Sequence, residues 1–211
     1  MRILEKVDLK LEEGRVYLLV GKNGSGKTTL LKILSGLLSP TEGDVLLDGR
    51  RVDSEELLQI SGYVFQNPQT QVIGATVEED VAFGLENLGI EREEMIKRVE
   101  EVLKELDLYD IRCFDPVLLS GGQLQRLAIA SIVALRPKLL LLDEPLSMLD
   151  RDGVEEVLRV IEKVSKDRIV VIATHDPQLF RFADEVILLE GGKVKGIHGT
   201  GEFDIRMISN A

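Results

Sequence analysis

The chain has a single cysteine, a deficit of positive charge and no long apolar run. Cys113 alone cannot close an intrachain disulfide, which favours a reducing compartment. Lys and Arg number 26 against 37 Asp and Glu, a formal net charge of −11. Such a surface repels nucleic acid and anionic lipid unless a local patch overrides it, so non-specific nucleic-acid binding is excluded as a function. Runs such as Leu139–Leu142 and Ile169–Ala173 are strand-sized, well short of the ~18 residues a membrane helix needs. The N-terminal MRILEKVDLK lacks a signal-peptide apolar region. The expectation is a cytosolic protein whose membrane role, if any, comes through partners.

The 211 residues, 44% hydrophobic and 30% charged, describe one soluble globular domain or one domain carrying an insertion. VYLLV (Val16–Val20) reads as a strand, GKNGSGKTT as a turn, and LLKILSGLL as a helix stopped by Ser39-Pro40. Strand candidates follow at Asp44–Asp48 and Ile60–Phe65, joined by a polar, partly helical segment. Residues 67–135 are rich in Glu and Leu at helical spacing. In MIKRVEEVLKELDL the apolar positions are Met95, Ile96, Val99, Val102, Leu103 and Leu106. This stretch is predicted to be a helical subdomain inserted into an α/β domain, whose second part is 136–211. After Pro137 come strand LLLLD, helix VEEVLRVIEKV, strand IVVIAT, a short helix near Gln178–Ala183 and strand EVILLE. Alternation of this kind indicates a parallel sheet covered on both faces. No internal repeat or low-complexity segment is visible.

Gly21-Lys22-Asn23-Gly24-Ser25-Gly26-Lys27-Thr28 satisfies G-x-x-x-x-G-K-[ST], after a strand and opening a helix. Glycines let the backbone turn so that its N–H groups face phosphate oxygens, and the helix N-terminus adds partial positive charge. Lys27 is expected to reach the β- and γ-phosphates and Thr28 to ligate Mg²⁺, with Thr29 beside it. A plain Gly-Ser turn is the alternative, but a chance match in this chain has a probability of roughly one in a hundred. LLLLDE ends a buried strand in two acids: Asp143 fits Mg²⁺ opposite the phosphate loop, and Glu144 fits a general base on water. Against a phosphate loop in the same chain, a merely solvated strand end is the weaker reading. His175, directly after IVVIAT, lies at the edge where open α/β sheets bind ligands. Alone it is ambiguous, as is Gln66 after the YVF strand. Ser120-Gly121-Gly122-Gln123 opens the helix QLQRLAIASIVAL as a second anion-binding N-terminus. An ordinary capping box accounts for Ser120 and Gln123, but not for two glycines.

LSGGQ ahead of LLLLDEP, with a phosphate loop upstream and a strand-end His downstream, resembles an ABC-type ATPase from about Leu4 to Lys195. The resemblance implies a P-loop NTPase (RecA-like) α/β core, a small antiparallel β-subdomain and an inserted helical subdomain. It also implies ATP and Mg²⁺ as ligands and two cassettes paired head to tail around two ATP molecules. Carried over, Gly21–Thr29, Gln66, Asp143, Glu144 and His175 serve one face of the nucleotide, with Thr28, Gln66 and Asp143 as metal residues. Ser120, Gly121, Gly122 and Gln123 serve the partner's nucleotide, and Asp150 couples the two sites.

Tyr63–Ile90 (YVFQNPQTQVIGATVEEDVAFGLENLGI) is similar to energy-coupling-factor importer ATPases, including the cobalt and nickel uptake type. That subgroup implies a transmembrane scaffold subunit, which pairs with a substrate-binding membrane protein, and a cytoplasmic chain held peripherally at the membrane. Glu78, Glu79, Asp80 and Glu86 form an acidic stretch suited to Arg side chains of a partner, with a solvated acidic helix as the alternative. Three departures stand out. MRILEKVDL begins in a strand that normally follows an adenine-stacking aromatic strand, and Tyr17 is in the wrong register to replace it. Gln69 stands where the subgroup carries an acid. The tail after Lys195 is short, which favours a longer, non-identical cassette as mate, with a homodimer as the alternative. Other ABC transporter classes and soluble ABC ATPases compete, but the coiled-coil insertions, tandem cassettes or basic surfaces of the latter are not seen.

Overall fold

A computed structural model describes residues 3–166, 168–201 and 203. These form two compact units: the described residues of Met1–Tyr63, Lys138–Glu144 and Ser165–Ala211, and then Val64–Pro137 with Pro145–Val164.

The first unit carries strands β1 (Val16–Val20), β2 (Val45–Leu47), β3 (Arg50–Val52) and all but the last residue of β4 (Ser61–Val64). It also carries β5 (Leu139–Asp143), β6 (Ile169–Ala173), β7 (Glu185–Glu190) and β8 (Lys193–Gly199). Six of them make one sheet in the order β4-β5-β6-β1-β7-β8, while β2 and β3 form a separate antiparallel pair. β5, β6, β1 and β7 run parallel, and β1 and β5 are buried along their whole length. That is why VYLLV and LLLLD are continuous apolar runs rather than alternating ones.

The sheet is nevertheless mixed, not wholly parallel as the alternation predicted. β8 lies antiparallel on β7. Only two residues, Gly191 and Gly192, join them, both at positive φ (54° and 79°). So short a connection makes a hairpin, since a parallel return needs a crossover of a dozen or more residues. KVKGIHG has no apolar run to advertise the strand.

Helix α1 (Lys27–Leu34) also stops earlier than Ser39-Pro40 predicted. Gly36 takes φ +80°, and a Cβ there would lie 2.3 Å from the Ser54 carbonyl oxygen. The chain therefore turns at a glycine, one turn before the proline is reached. α2 (Ser54–Ile60) is capped by Asp53, whose side chain accepts from Glu56 N–H. The N-terminal segment is no strand among its described residues. Leu4, Val7, Leu9 and Leu11 pack, half-buried, on a core cluster of Tyr17, Leu19, Leu31, Tyr63, Leu141 and Val171. Tyr17 is 1% exposed within that core, which removes it from contact with any base.

The second unit is helical: α3 (Val77–Asn87), α4 (Arg92–Glu105), α5 (Gly121–Val133) and α6 (Arg151–Val164). On α4, Val99, Val102 and Leu103 are buried as the spacing predicts, but Ile96 is 54% exposed. Ile96 instead lines an open groove of about 340 Å³ with Glu78, Glu79, Ala82, Met95 and Tyr109 among its walls.

Candidate active site

β1 delivers the chain into residues 21–26, and α1 begins at Lys27. Gly21 is obligatory, because a Cβ there would sit 2.1 Å from the Leu189 carbonyl oxygen. Lys22, Asn23, Gly24 and Thr28 are exposed, Thr29 is half-buried, and Ser25, Gly26 and Lys27 are buried. The Lys27 ammonium donates to the carbonyl of Gly21 at 2.8 Å and approaches that of Lys22 at 3.4 Å. The ammonium thus lies across the loop, held by acceptors far weaker than a phosphate. Ser25 Oγ is buried with no hydrogen-bond partner among the described residues. A buried hydroxyl left unpaired costs about 1–3 kcal/mol, which an anion oxygen in the loop would recover. The loop therefore fits a phosphate chain.

Parallel register brings the other candidates to the same sheet edge. Leu19 on β1 and Asp143 on β5 both pair with Ala173 on β6, the strand between them. Thr174 N–H donates to Leu19 and Glu144 N–H to Ala173, at 3.1 and 2.8 Å. The residues leaving β1, β5 and β6 (the phosphate loop, Glu144 and His175) thus emerge side by side at the carboxyl ends of the strands, where such sheets bind ligands.

Glu144 turns out of β5 at φ +47°, an uncommon backbone for a non-glycine residue. Its side chain is 12% exposed, and His175 Nδ1 stands 3.1 and 3.0 Å from its two carboxylate oxygens. His175, ambiguous in the sequence, is thus paired with the acid that ends the neighbouring strand. Asp143 is buried, and the Tyr63 hydroxyl donates to its Oδ2 at 2.8 Å. Burial first, then the Asp143 charge and this hydrogen bond, push the Tyr63 phenol well above its ordinary pKa, so it stays a neutral donor. In the sequence Tyr63 reads only as a strand residue. A tyrosine among the apolar residues of YVF was the one available signal.

No group of three or more His, Cys, Asp or Glu among the described residues could hold a metal ion. A cation offered so few oxygen donors by the protein must take its other ligands from phosphates and water, which suits Mg²⁺.

Gln66, Ser120–Gln123 and Asp150 belong to the second unit. Gln66 is exposed, and its carbonyl accepts from Ser147 Oγ at 3.4 Å. Ser120 and Gln123 complete a capping box: Ser120 Oγ accepts from Gln123 N–H at 3.2 Å, and Gln123 Oε1 from Ser120 N–H at 2.9 Å. Gly122 has a packing reason that the sequence did not reveal. A Cβ on it would stand 2.8 Å from Gly153 Cα, so α5 and α6 touch through two glycines. Gly121 is exposed and would meet nothing closer than 3.5 Å, so packing does not require it to be glycine. Asp150 caps α6, its Oδ1 accepting from Gly153 N–H at 2.9 Å.

One expectation about the acidic stretch is overturned. Asp80 is 5% exposed and accepts from Ile73 N–H, Gly74 N–H and Ser131 Oγ at 2.7, 2.9 and 2.6 Å. It is an internal acceptor that ties a loop and α5 to α3, not a docking charge. Glu78 has a cation nearby, Arg112 Nε at 3.9 Å. Folding supplies it from 34 residues along the chain.

A family model described as ABC transporter matches residues 4–147. The energy-coupling factor transporter ATP-binding protein EcfA1 of Thermotoga maritima is 47% identical over 202 residues, 95% of this chain and 78% of its own length. EcfA1 of Clostridioides difficile is 44% identical over 206 residues, 95% and 74%. Among solved structures, cbiO1 from Clostridium perfringens, part of the ABC transporter complex cbiONQ, superposes with a TM-score of 0.87 at 33% identity. That match covers 95% of this chain and 83% of the other. The ATP-binding cassette MJ0796, a dimer in a post-hydrolysis state bound to ADP and Pi, gives 0.82 at 34% identity, covering 95% and 92%. These likenesses bear out the α/β P-loop core, and the chain belongs to the ABC transporter family, in the group of its energy-coupling factor ATP-binding proteins.

Proposed function

We propose that this chain is the ATP-hydrolysing motor subunit of an importer of the energy-coupling factor type, paired head to tail with a second cassette around two ATP molecules. The observation that carries the reading is the register at one sheet edge, where the phosphate loop, Glu144 and His175 leave adjacent parallel strands. The loop from Gly21 to Thr29 cradles the phosphates through backbone N–H groups, and Lys27 exchanges its carbonyl partners for β- and γ-phosphate oxygens. Thr28, Asp143 and Gln66 would hold Mg²⁺, which when bound offsets the charge of the phosphate oxygens. Glu144 polarises the attacking water as general base. His175, hydrogen-bonded to the Glu144 carboxylate through Nδ1, fixes its orientation and keeps its other ring nitrogen for the γ-phosphate. Ser120, the Gly121–Gly122 backbone and Gln123 close on the partner's nucleotide, and Asp150 links the sites through the α6 cap. Residues 67–135, as the inserted helical subdomain, carry the membrane contact. Their groove, apolar along Ala82, Met95 and Ile96 and acidic at Glu78 and Glu79, suits a basic amphipathic segment of a transmembrane scaffold subunit. A cytoplasmic place at the membrane surface follows from that attachment.

Replacing Glu144 by Gln tests the chemistry. Steady-state ATP hydrolysis should fall about 10²–10⁴-fold, as for loss of a general base. ATP-dependent association with the mate, followed by size-exclusion chromatography, should persist or strengthen. Unchanged turnover removes Glu144 from the mechanism.

A further inference from the structure

We propose that Tyr63 is a positioning residue for the Asp143 carboxylate, setting how strongly the site takes Mg²⁺ with its nucleotide. The inference rests on the reading of Asp143 as a metal-side carboxylate. Tyr63 stands on β4, the neighbour of β5 in the sheet, and its ring belongs to the core cluster with Leu31, Leu141 and Val171. Packing therefore fixes the ring, and through it the hydroxyl. Packing alone would be served equally well by phenylalanine, and a hydroxyl taken out of water is costly unless paired. Its partner is Asp143 Oδ2, at 2.8 Å.

The bond settles which carboxylate oxygen does what. With Oδ2 engaged by a neutral donor, Asp143 cannot rotate freely, and Oδ1 is the oxygen that would serve the cation. Such outer partners of metal carboxylates hold ligand geometry, and removing one typically weakens metal affinity by about 10–100-fold. A freed carboxylate is also more basic, which alone would favour the cation, but it must then be ordered each time Mg²⁺ binds.

The test compares Tyr63→Phe with Tyr17→Phe, which deletes the other buried hydroxyl of the same cluster, one that accepts from Glu12 N–H at 2.9 Å. ATP affinity is measured by fluorescence anisotropy of a labelled ATP analogue across a Mg²⁺ titration and in EDTA. Tyr63→Phe should raise the Mg²⁺ midpoint roughly tenfold or more and leave affinity in EDTA within about twofold of the parent. Tyr17→Phe should lower thermal stability without moving the midpoint. Asp143→Asn calibrates the assay, and adding Tyr63→Phe to it should bring no further shift. A midpoint unmoved in Tyr63→Phe but moved in Asp143→Asn overturns this inference alone. A midpoint unmoved in Asp143→Asn overturns the metal reading beneath it.

Discussion

Gly121 and Gly122 stand side by side in the Ser-Gly-Gly-Gln segment, yet a methyl group added to each meets different surroundings, so two alanine substitutions separate packing from nucleotide binding. At Gly122 the new Cβ would lie 2.8 Å from Gly153 Cα. Carbon atoms rest at about 3.5–4.0 Å, so α5 and α6 must part by roughly 1 Å. Overpacking of this kind costs about 1–3 kcal/mol, and alanine returns up to about 1 kcal/mol of helix propensity. Gly122→Ala should therefore lose about 1–2 kcal/mol, a fall in Tm of roughly 2–8 °C for a chain of this size. At Gly121 the nearest neighbour, Leu149 Cδ2, would be 3.5 Å away, an ordinary contact. Gly121→Ala should hold its Tm or gain roughly 2–4 °C.

If backbone at Gly121 approaches the partner's γ-phosphate, that same methyl group stands in the way. ATP-dependent association and turnover should then drop about tenfold or more, equivalent to ~1.4 kcal/mol. Differential scanning fluorimetry and a coupled ATPase assay on the assembled pair read both quantities. Gly121→Ala turning over ATP at the parent rate would refute the close approach, and Gly122→Ala with an unchanged Tm would refute the glycine contact.

Two further substitutions address the helical unit. Asp80→Ala strands two backbone N–H groups, while the Ser131 hydroxyl falls back on the Leu127 carbonyl at 3.1 Å, and should cost about 2 kcal/mol or more, seen as a lower urea midpoint. Loss below 1 kcal/mol would return Asp80 to the role of surface charge. Charge reversal in the groove, Glu78→Lys with Glu79→Lys, should weaken co-purification with the membrane scaffold severalfold while the ATPase rate of the cassette pair stays within about twofold. Equal recovery of the scaffold would place its docking elsewhere.

The phosphate loop, the two acids that end LLLLDE and the His after IVVIAT were legible because each depends on local chain chemistry. A tight turn needs glycine, a strand buried on both faces needs an unbroken apolar run, and a cap needs a small polar side chain at a fixed offset. Val16–Val20, Leu139–Asp143 and Ile169–Ala173 fall where those rules put them. β3 and β8 were not legible, since edge strands half open to solvent carry little apolar signal and depend on the partner strand. The six-residue segment Pro177–Phe182 likewise tightens to a 3-10 turn where a short helix was expected.

What the sequence by itself determined is the inventory: which residues can turn around a phosphate, end a strand in a carboxylate or cap a helix. Only the tertiary structure decided who meets whom. Tyr63 reaches Asp143 across 80 positions, Asp80 reaches Ser131 across 51, and Gly122 lies against Gly153. A propensity is a property of a few neighbouring residues. A hydrogen bond or a close contact between distant ones exists only after the core has fixed both backbones, so its energy leaves no mark on either segment read alone.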